Sequence, residues 1–300
     1  FSVKENQPAS GGVWEHTHLT DMSFYKWQNG AQAWGVQDRL RGAPDLSFNS
    51  TSAENGLIGG NAWDVMTGYL NSNPGAGAYT SWAFRRAKEF FDVVTYAGTG
   101  SDRTQTHNLG VAPELIIIKR RGPSAADWVW YVGPLGAGNF MYGDAGAKLS
   151  STTIWSNTAP TASVFSLGNQ SGSITYRING SGSTYVAYLF ATVAGISKIG
   201  SYTGTGSDVN VDCGFSAGAR FILIKRTDGT EGVSNGDWYV YDSVRGIVAG
   251  NDPYFLLNST AAEVTNTDYI DPLSSGFTVT SSAPAALNAS SGNYIFLAIA

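Results

Sequence analysis

Leu115-Ile-Ile-Ile-Lys-Arg120 and Phe221-Ile-Leu-Ile-Lys-Arg226 stand 106 residues apart and read as one segment written twice. Each is an unbroken apolar run closed by Lys-Arg, too short for a helix and without the polar alternation of a half-exposed strand. Such a run suits a central strand covered on both faces. Outward from it, the same offset carries Tyr96-Ala-Gly-Thr-Gly-Ser-Asp102 onto Tyr202-Thr-Gly-Thr-Gly-Ser-Asp208. Asp127-Trp-Val-Trp-Tyr131 then matches Asp237-Trp-Tyr-Val-Tyr241, and residues 179–191 (NGSGSTYVAYLFA) match residues 288–300 (NASSGNYIFLAIA). Landmarks repeated in one order identify two homologous units.

The N-terminal third carries the signature less completely. Trp34-Gly-Val-Gln-Asp-Arg-Leu-Arg-Gly42 resembles Trp238-Tyr-Val-Tyr-Asp-Ser-Val-Arg-Gly246, and Asn49-Ser-Thr-Ser-Ala-Glu54 resembles Asn258-Ser-Thr-Ala-Ala-Glu263. Tyr79-Thr-Ser-Trp-Ala-Phe84 takes the place of Tyr185-Val-Ala-Tyr-Leu-Phe190, while residues 22–27 are a worn counterpart of the Ile-rich strand. No Tyr-x-Gly-x-Gly-Ser segment precedes them, so the first unit is expected to lack its opening strand or strands, which upstream chain once supplied. The expected fold is all-β: tandem β-sandwich modules of about 105 residues, divided as 1–90, 91–196 and 197–300, the first abbreviated. Pattern alone leaves a small barrel open. A short helix is conceivable over residues 80–90, but the repeat argues for a strand there.

Composition narrows the function classes. Charged residues are 14% of the chain, against roughly 25% in an average soluble domain, and the net charge is -5. A coiled coil is excluded, and 42% hydrophobic residues are enough to build cores. Arg85-Arg86, Arg120-Arg121 and Lys225-Arg226 are isolated couples, read as strand ends reaching solvent rather than a phosphate-reading patch, so no nucleic-acid partner is expected. One cysteine, Cys213, allows no intrachain disulfide. No apolar run approaches the roughly 20 residues of a membrane-spanning helix, so no membrane insertion is expected. The chain opens on Phe1 rather than Met and reads as a fragment of a longer polypeptide.

Candidate chemistry is sparse. His16 and His18 fall on one strand face beside Glu15, half of a metal site at most, and His107 has no histidine counterpart. The Gly-containing loops after Tyr96 and Tyr202 lack phosphate-loop spacing and serve turns. Glu54 and Glu263 correspond, with Ser151 or Thr152 in their place in the middle unit. Together with Asp92, Asp102, Asp208 and Asp212 they read as surface or turn-stabilising carboxylates, ahead of a calcium loop or a paired-acid glycosidase site. No catalytic residue, metal ligand or cofactor is assigned. Trp128 and Trp238, being repeat-equivalent, are expected in the core. Trp155 stands alone in a Ser/Thr/Asn-rich loop and is the one candidate for an exposed carbohydrate contact.

These motifs, with Leu109-Gly-Val-Ala-Pro-Glu114, Trp155-Ser-Asn-Thr-Ala-Pro-Thr161, Val164-Phe-Ser-Leu-Gly168 and residues 195–204, resemble the repeat-containing β domain of marine bacteriophage tail-fibre and related virion proteins. The resemblance covers residues 31–300 and implies a non-enzymatic role on the virion tail or tail fibre, in host-cell attachment. It implies as partners other copies of the chain, as a homotrimer, other virion tail proteins, and a host surface polysaccharide or outer-membrane receptor. A polysaccharide-binding or polysaccharide-degrading virion protein and a capsid decoration protein are the alternatives.

Overall fold

The computed structural model describes residues 1–7, 12–55, 63, 65–71, 78–169, 175–228 and 236–300. The first unit holds β1 (Ser2–Gln7), β2 (Gly12–Trp14), β3 (Met22–Trp27), β4 (Gly35–Asp38), β5 (Gly42–Leu46), β6 (Tyr69–Asn71) and β7 (Tyr79–Phe84). The second holds β8 (Phe91–Ala97), β9 (Arg103–Thr106), β10 (Leu115–Gly122), β11 (Val129–Val132), β12 (Asn139–Tyr142), β13 (Leu149–Ser150), β14 (Val164–Leu167) and β15 (Thr184–Phe190). The third holds β16 (Ser197–Thr203), β17 (Val209–Asp212), β18 (Phe221–Arg226), β19 (Trp238–Asp242), β20 (Phe255–Leu256), β21 (Ile270–Leu273), β22 (Gly276–Val279) and β23 (Asn293–Ile299). Single helical turns, α1 (Tyr176–Asn179) and α2 (Ala285–Asn288), precede β15 and β23. The expected all-β, sandwich-type fold is what forms. The 80–90 stretch runs as strand β7 before it turns, as the repeat required.

The main sheets have one order, written three times: β1-β7-β3-β4-β5, β8-β15-β10-β11-β12-β13 and β16-β23-β18-β19-β20. In each, the opening strand pairs antiparallel with the closing strand. The register aligns the three sheets residue by residue. Phe24, Ile117 and Leu223 face Trp82, Tyr188 and Leu297 in turn, and those face Val3, Val93 and Ile199. The first unit therefore possesses its opening strand, contrary to expectation. Residues 2–7 read as polar and carry no Tyr-x-Gly-x-Gly-Ser tail, yet Val3 packs in the core while Lys4 faces solvent.

Each main sheet is buried on both faces, which explains the unbroken Ile runs. Leu115 and Ile117 point into a cluster that draws on all three units, with Phe24, Trp82, Phe84, Trp130, Tyr188, Phe221, Leu223 and Leu297. Ile116 and Ile118 point the other way, onto the second unit's own outer layer of Phe165, Leu167 and Ile178. In the third unit Ile222 and Ile224 do the same against Phe277 and Val279. The outer layers are short sheets, β9 with β14 and β17-β22-β21, and in the first unit the three-residue pair β2–β6. At about 1.5–3 kcal/mol per buried large aliphatic or aromatic side chain, the shared inner cluster is the main source of stability. The tandem modules are thus not beads on a string: three sandwiches turn their inner faces onto one core.

Candidate functional site at the junctions between units

A Lys–Trp pair marks each junction. The indole N–H bonds the neighbouring unit in all three, the ammonium does so for Lys26 and Lys119, and the buried Lys225 Nζ has no hydrogen-bond partner among the described residues. Lys26, Lys119 and Lys225 sit at the end of the inner-facing row of their strands, with Nζ 5.8, 5.8 and 5.7 Å from the ring centres of Trp34, Trp128 and Trp238. Lys26 donates to the Thr260 carbonyl of the third unit at 2.8 Å, and Trp34 Nε1 to Leu256 O at 3.0 Å. Lys119 donates to Thr51 O of the first unit at 2.9 Å, and Trp128 Nε1 to Ser47 O at 2.7 Å. Trp238 Nε1 donates to Asp144 O of the second unit at 3.1 Å. First holds third, second holds first and third holds second, so the contacts close into a ring with pseudo-threefold symmetry. Lys225 is fully buried, not a strand end reaching solvent; the inward row of its strand carries it under the neighbouring loop. Burial pulls these ammonium groups down to about 8.

Beyond the Lys–Trp pairs, two junctions carry a buried ion pair. Arg41 Nε lies 2.5 Å from Asp38 Oδ2, both side chains fully buried, and Tyr188 of the second unit donates its hydroxyl to Asp38 at 2.8 Å. Arg245 and Asp242 repeat the pair at 2.6 Å, with Trp82 Nε1 of the first unit donating to Asp242 at 3.2 Å. Glu54 and Glu263 complete the two networks. Glu54 takes a two-pronged bond from Arg121 and lies 3.5 Å from Arg41, while Glu263 lies 2.8 Å from Arg245. Glu54 and Glu263 are thus held by arginines, and Glu5 stands near Asp242 and Glu263, where burial and their charges raise its pKa.

The third junction has lost the network as a set. Register places Val132 where Asp38 and Asp242 stand, hence Leu135 where the arginines stand, and Leu297 in place of Tyr188 and Trp82. The backbone bonds Glu54 N to Arg121 O and Glu263 N to Gln28 O have their counterpart in Lys148 N to Thr227 O. The middle unit's equivalent of the glutamates is therefore Lys148, not Ser151 or Thr152; it follows Trp128 at the same spacing as Glu54 follows Trp34. Thr227 likewise replaces Arg121. With Leu135 and Thr227 shorter than the arginines they replace, an open cleft of about 530 Å³ lies between the 3-10 turn at Gly133–Leu135 and the edge strand β16. Leu135 and Ile295 lie at its apolar side; Ser201, Thr203 and Lys148 are exposed along it, and Tyr202 lies between, stacked on Tyr294 at 4.8 Å. A second hollow of about 440 Å³ continues along β16 past Pro134 to Lys198.

A family model described as a domain of unknown function, DUF7483, matches residues 13–300. The chain belongs to this family. No curated protein matches it.

The family match takes in every side chain singled out from the sequence as a possible site, and most prove to be architectural. Trp155 is not exposed: it is 2% accessible, meets Tyr131 edge-on and donates Nε1 to Asn139 O at 3.0 Å. Its Ser/Thr/Asn-rich surroundings signalled a surface loop, but that loop folds over the outer face of its own sheet and uses the indole as its anchor. Trp128 and Trp238 are buried as expected. Among the described residues no group of three His, Cys, Asp or Glu could hold a metal. Asp102 binds Ser156 and Asn169, and Asp208 binds the Ser281 amide, so both tie loops together.

The Tyr-x-Gly-x-Gly-Ser loops are wrapped around a buried asparagine that sequence reasoning passed over. Asn179 accepts from Thr99 N at 3.0 Å and donates to Ser101 O and Gly168 O, both at 2.8 Å. Asn288 does the same with Thr205 N, Ser207 O and Thr280 O. A Cβ on Gly98 would lie 2.3 Å from Gly180 O, and one on Gly204 2.4 Å from Ala289 O. The first glycine of each loop is thus a close-approach residue, and only the second, Gly100 or Gly206, sits at positive φ. The signal was available: each asparagine opens the repeated stretch that closes its unit.

His16 is buried between two hydroxyls, Ser2 Oγ at 2.8 Å and Ser81 Oγ at 2.9 Å, with Tyr69 stacked on its ring. Burial, then the charges of His18 and Lys4, pull its pKa down to about 3. The folded value lies below the ordinary 6.5, so the unfolded chain binds the extra proton between those limits. His16's stabilising contribution is then full above pH 6.5 and falls as the pH drops toward 3, by up to about 1.4 kcal/mol per pH unit. Urea midpoints measured from pH 7 to pH 4 are expected to fall less steeply in His16→Gln. An unchanged slope would remove His16 as the acid-sensitive group.

Proposed function

We propose that the chain is a non-enzymatic structural module of a bacteriophage tail fibre or tail-associated assembly, involved in host-cell attachment. The observation that carries the non-enzymatic reading is the use to which the repeated polar side chains are put. Lys26, Lys119 and the arginine–carboxylate pairs tie neighbouring units together, and the capping asparagines tie loops within their units. The virion context rests on the resemblance of the repeated motifs to tail-fibre domains. Association into a homotrimer, and with other tail proteins, belongs to the same proposal. The low charge and hydroxyl-rich surface suit a module exposed on a particle.

The test is mass spectrometry of purified phage particles combined with antibody labelling in electron microscopy. Detection at the tail is the expected result; absence from particles would sink the virion reading, and labelling of the head would favour a decoration protein. Release of reducing sugar from host polysaccharide by the purified chain would overturn the non-enzymatic part. The open cleft at the second–third junction favours polysaccharide binding as a second reading within the same role.

A further inference from the structure

We propose that the cleft between the second and third units is a binding site for a saccharide bearing a carboxylate, such as a uronic-acid unit of an acidic polysaccharide. This rests on the attachment reading but makes its own claim about ligand chemistry. The argument begins with pseudo-symmetry. At the first–second junction the corresponding space is occupied by Arg41, Glu54 and Arg121, bonded to one another. At the third–first junction it is occupied by Arg245 and Glu263, with Gln28 donating to Glu5 at 2.8 Å. At the second–third junction the same positions hold Leu135, Lys148 and Thr227, with Ser201 where Glu5 stands. In the filled junctions the arginines pair with Asp38, Glu54, Asp242 and Glu263, and Glu5 is bonded by Gln28. Here one exposed ammonium, Lys148, is left beside the cleft without an ion-pair partner among the described residues.

The lining matches a sugar acid better than an apolar or peptide ligand. Binding sites for small molecules combine an apolar body with a few placed polar groups in volumes of roughly 300–1,000 Å³. Leu135 offers apolar contact for the carbon face of a ring, as does the half-buried Tyr202. Ser201 and Thr203, both exposed on β16, offer hydroxyls that give and accept hydrogen bonds, as sugar hydroxyls demand. Asp228 is already engaged by Arg226 at 2.7 Å and by the Asn293 amide at 3.1 Å, so it leaves Lys148 as the free charge to meet a carboxylate. The adjoining hollow, lined by both Lys198 and Asp212, gives room for a second ring along the same strand. In a chain of net charge -5, attraction for an acidic glycan has to be local, and Lys148 is the group placed to supply it.

The experiment is calorimetric titration of the full chain with trigalacturonic acid and, in parallel, with neutral galactotriose, supported by amide chemical shifts. Trigalacturonic acid is expected to bind and to shift amides of residues 197–203 and 148, with galactotriose at least 10-fold weaker. Lys148→Ala, at an exposed site, is expected to weaken binding at least 10-fold with the melting temperature unchanged. The triple variant Leu135→Arg, Lys148→Glu, Thr227→Arg, which restores the side chains of the first junction, is expected to abolish it. No shift at β16 with 10 mM trigalacturonic acid overturns the proposal, as does equal binding of the neutral sugar or of Lys148→Ala. Equal binding of a tetra-aspartate peptide would also overturn it, assigning the cleft to acidic peptides. These outcomes are independent of whether the chain is found in particles, so the site and the virion reading fail separately.

Discussion

Arg41→Leu is expected to cost about 3–5 kcal/mol of stability, although Leu135 occupies the equivalent position in the next unit without penalty. The guanidinium is fully buried, and the charges of Asp38 and Glu54, with the hydrogen bond to Asp38, hold its pKa above the ordinary value despite desolvation. Its removal strands the Asp38 carboxylate in a site with no solvent access, facing the Arg41 amide at 2.9 Å and the Tyr188 hydroxyl at 2.8 Å. Breaking one half of a buried pair leaves an uncompensated charge, whereas replacing the pair by apolar groups is close to neutral. The triple variant Asp38→Val, Arg41→Leu, Tyr188→Phe imports the apolar solution of the third junction and is expected to recover most of the loss. Glu54 keeps its bond to Arg121 throughout. Denaturant midpoints of the single and triple variants check this; a triple variant as unstable as the single would show that the pair is more than an interchangeable filling.

How the fold could be read from the residues follows the same logic of faces. The Ile-rich runs announced strands covered on both sides because strict alternation is absent from them, and both covers exist. The identity of the inner cover was not legible. Periodicity says that a face is buried but not against what, and three equivalent inner faces can meet each other as readily as separate partners. The opening strand of the first unit escaped because the motif used to find such strands belongs to the following loop, where the asparagine clamp imposes Gly and Ser, and no such motif follows β1 in the sequence. Lys225 was misplaced for a related reason. A Lys-Arg ending looks like a solvent-facing terminus until the neighbouring Trp238 ring, its centre 5.7 Å from Nζ, is in view. Trp155 was misread because composition describes a loop's outside, while one side chain of the loop fastens its inside. The cleft lay wholly beyond sequence. It exists through substitutions at Leu135, Lys148 and Thr227, which become a set only when register aligns them with Arg41, Glu54 and Arg121.

If the three inner faces form one core, Phe84→Ala should weaken all three units together. Phe84 lies between units, its ring centre 5.0 Å from Phe1, 5.8 Å from Phe24, 5.4 Å from both Phe91 and Phe190, and 6.4 Å from Phe221. Truncating a buried Phe removes its transfer free energy and leaves a cavity, typically at about 3–5 kcal/mol. Unfolding entropy near 2.1 cal/mol/K per residue converts this, over the whole chain, to a fall of roughly 5–8 °C in melting temperature. Calorimetry is expected to show one transition in the parent chain and one, shifted, in the variant. By the same reasoning, residues 197–300 expressed alone would expose Ile199, Phe221, Leu223, Val240 and Leu297 on a bare sheet face and are expected to aggregate or remain unfolded. Three separable transitions, with Phe84→Ala moving one of them, would mean that the units stand independently. The inner cluster would then be a contact made after folding rather than the core that folding builds.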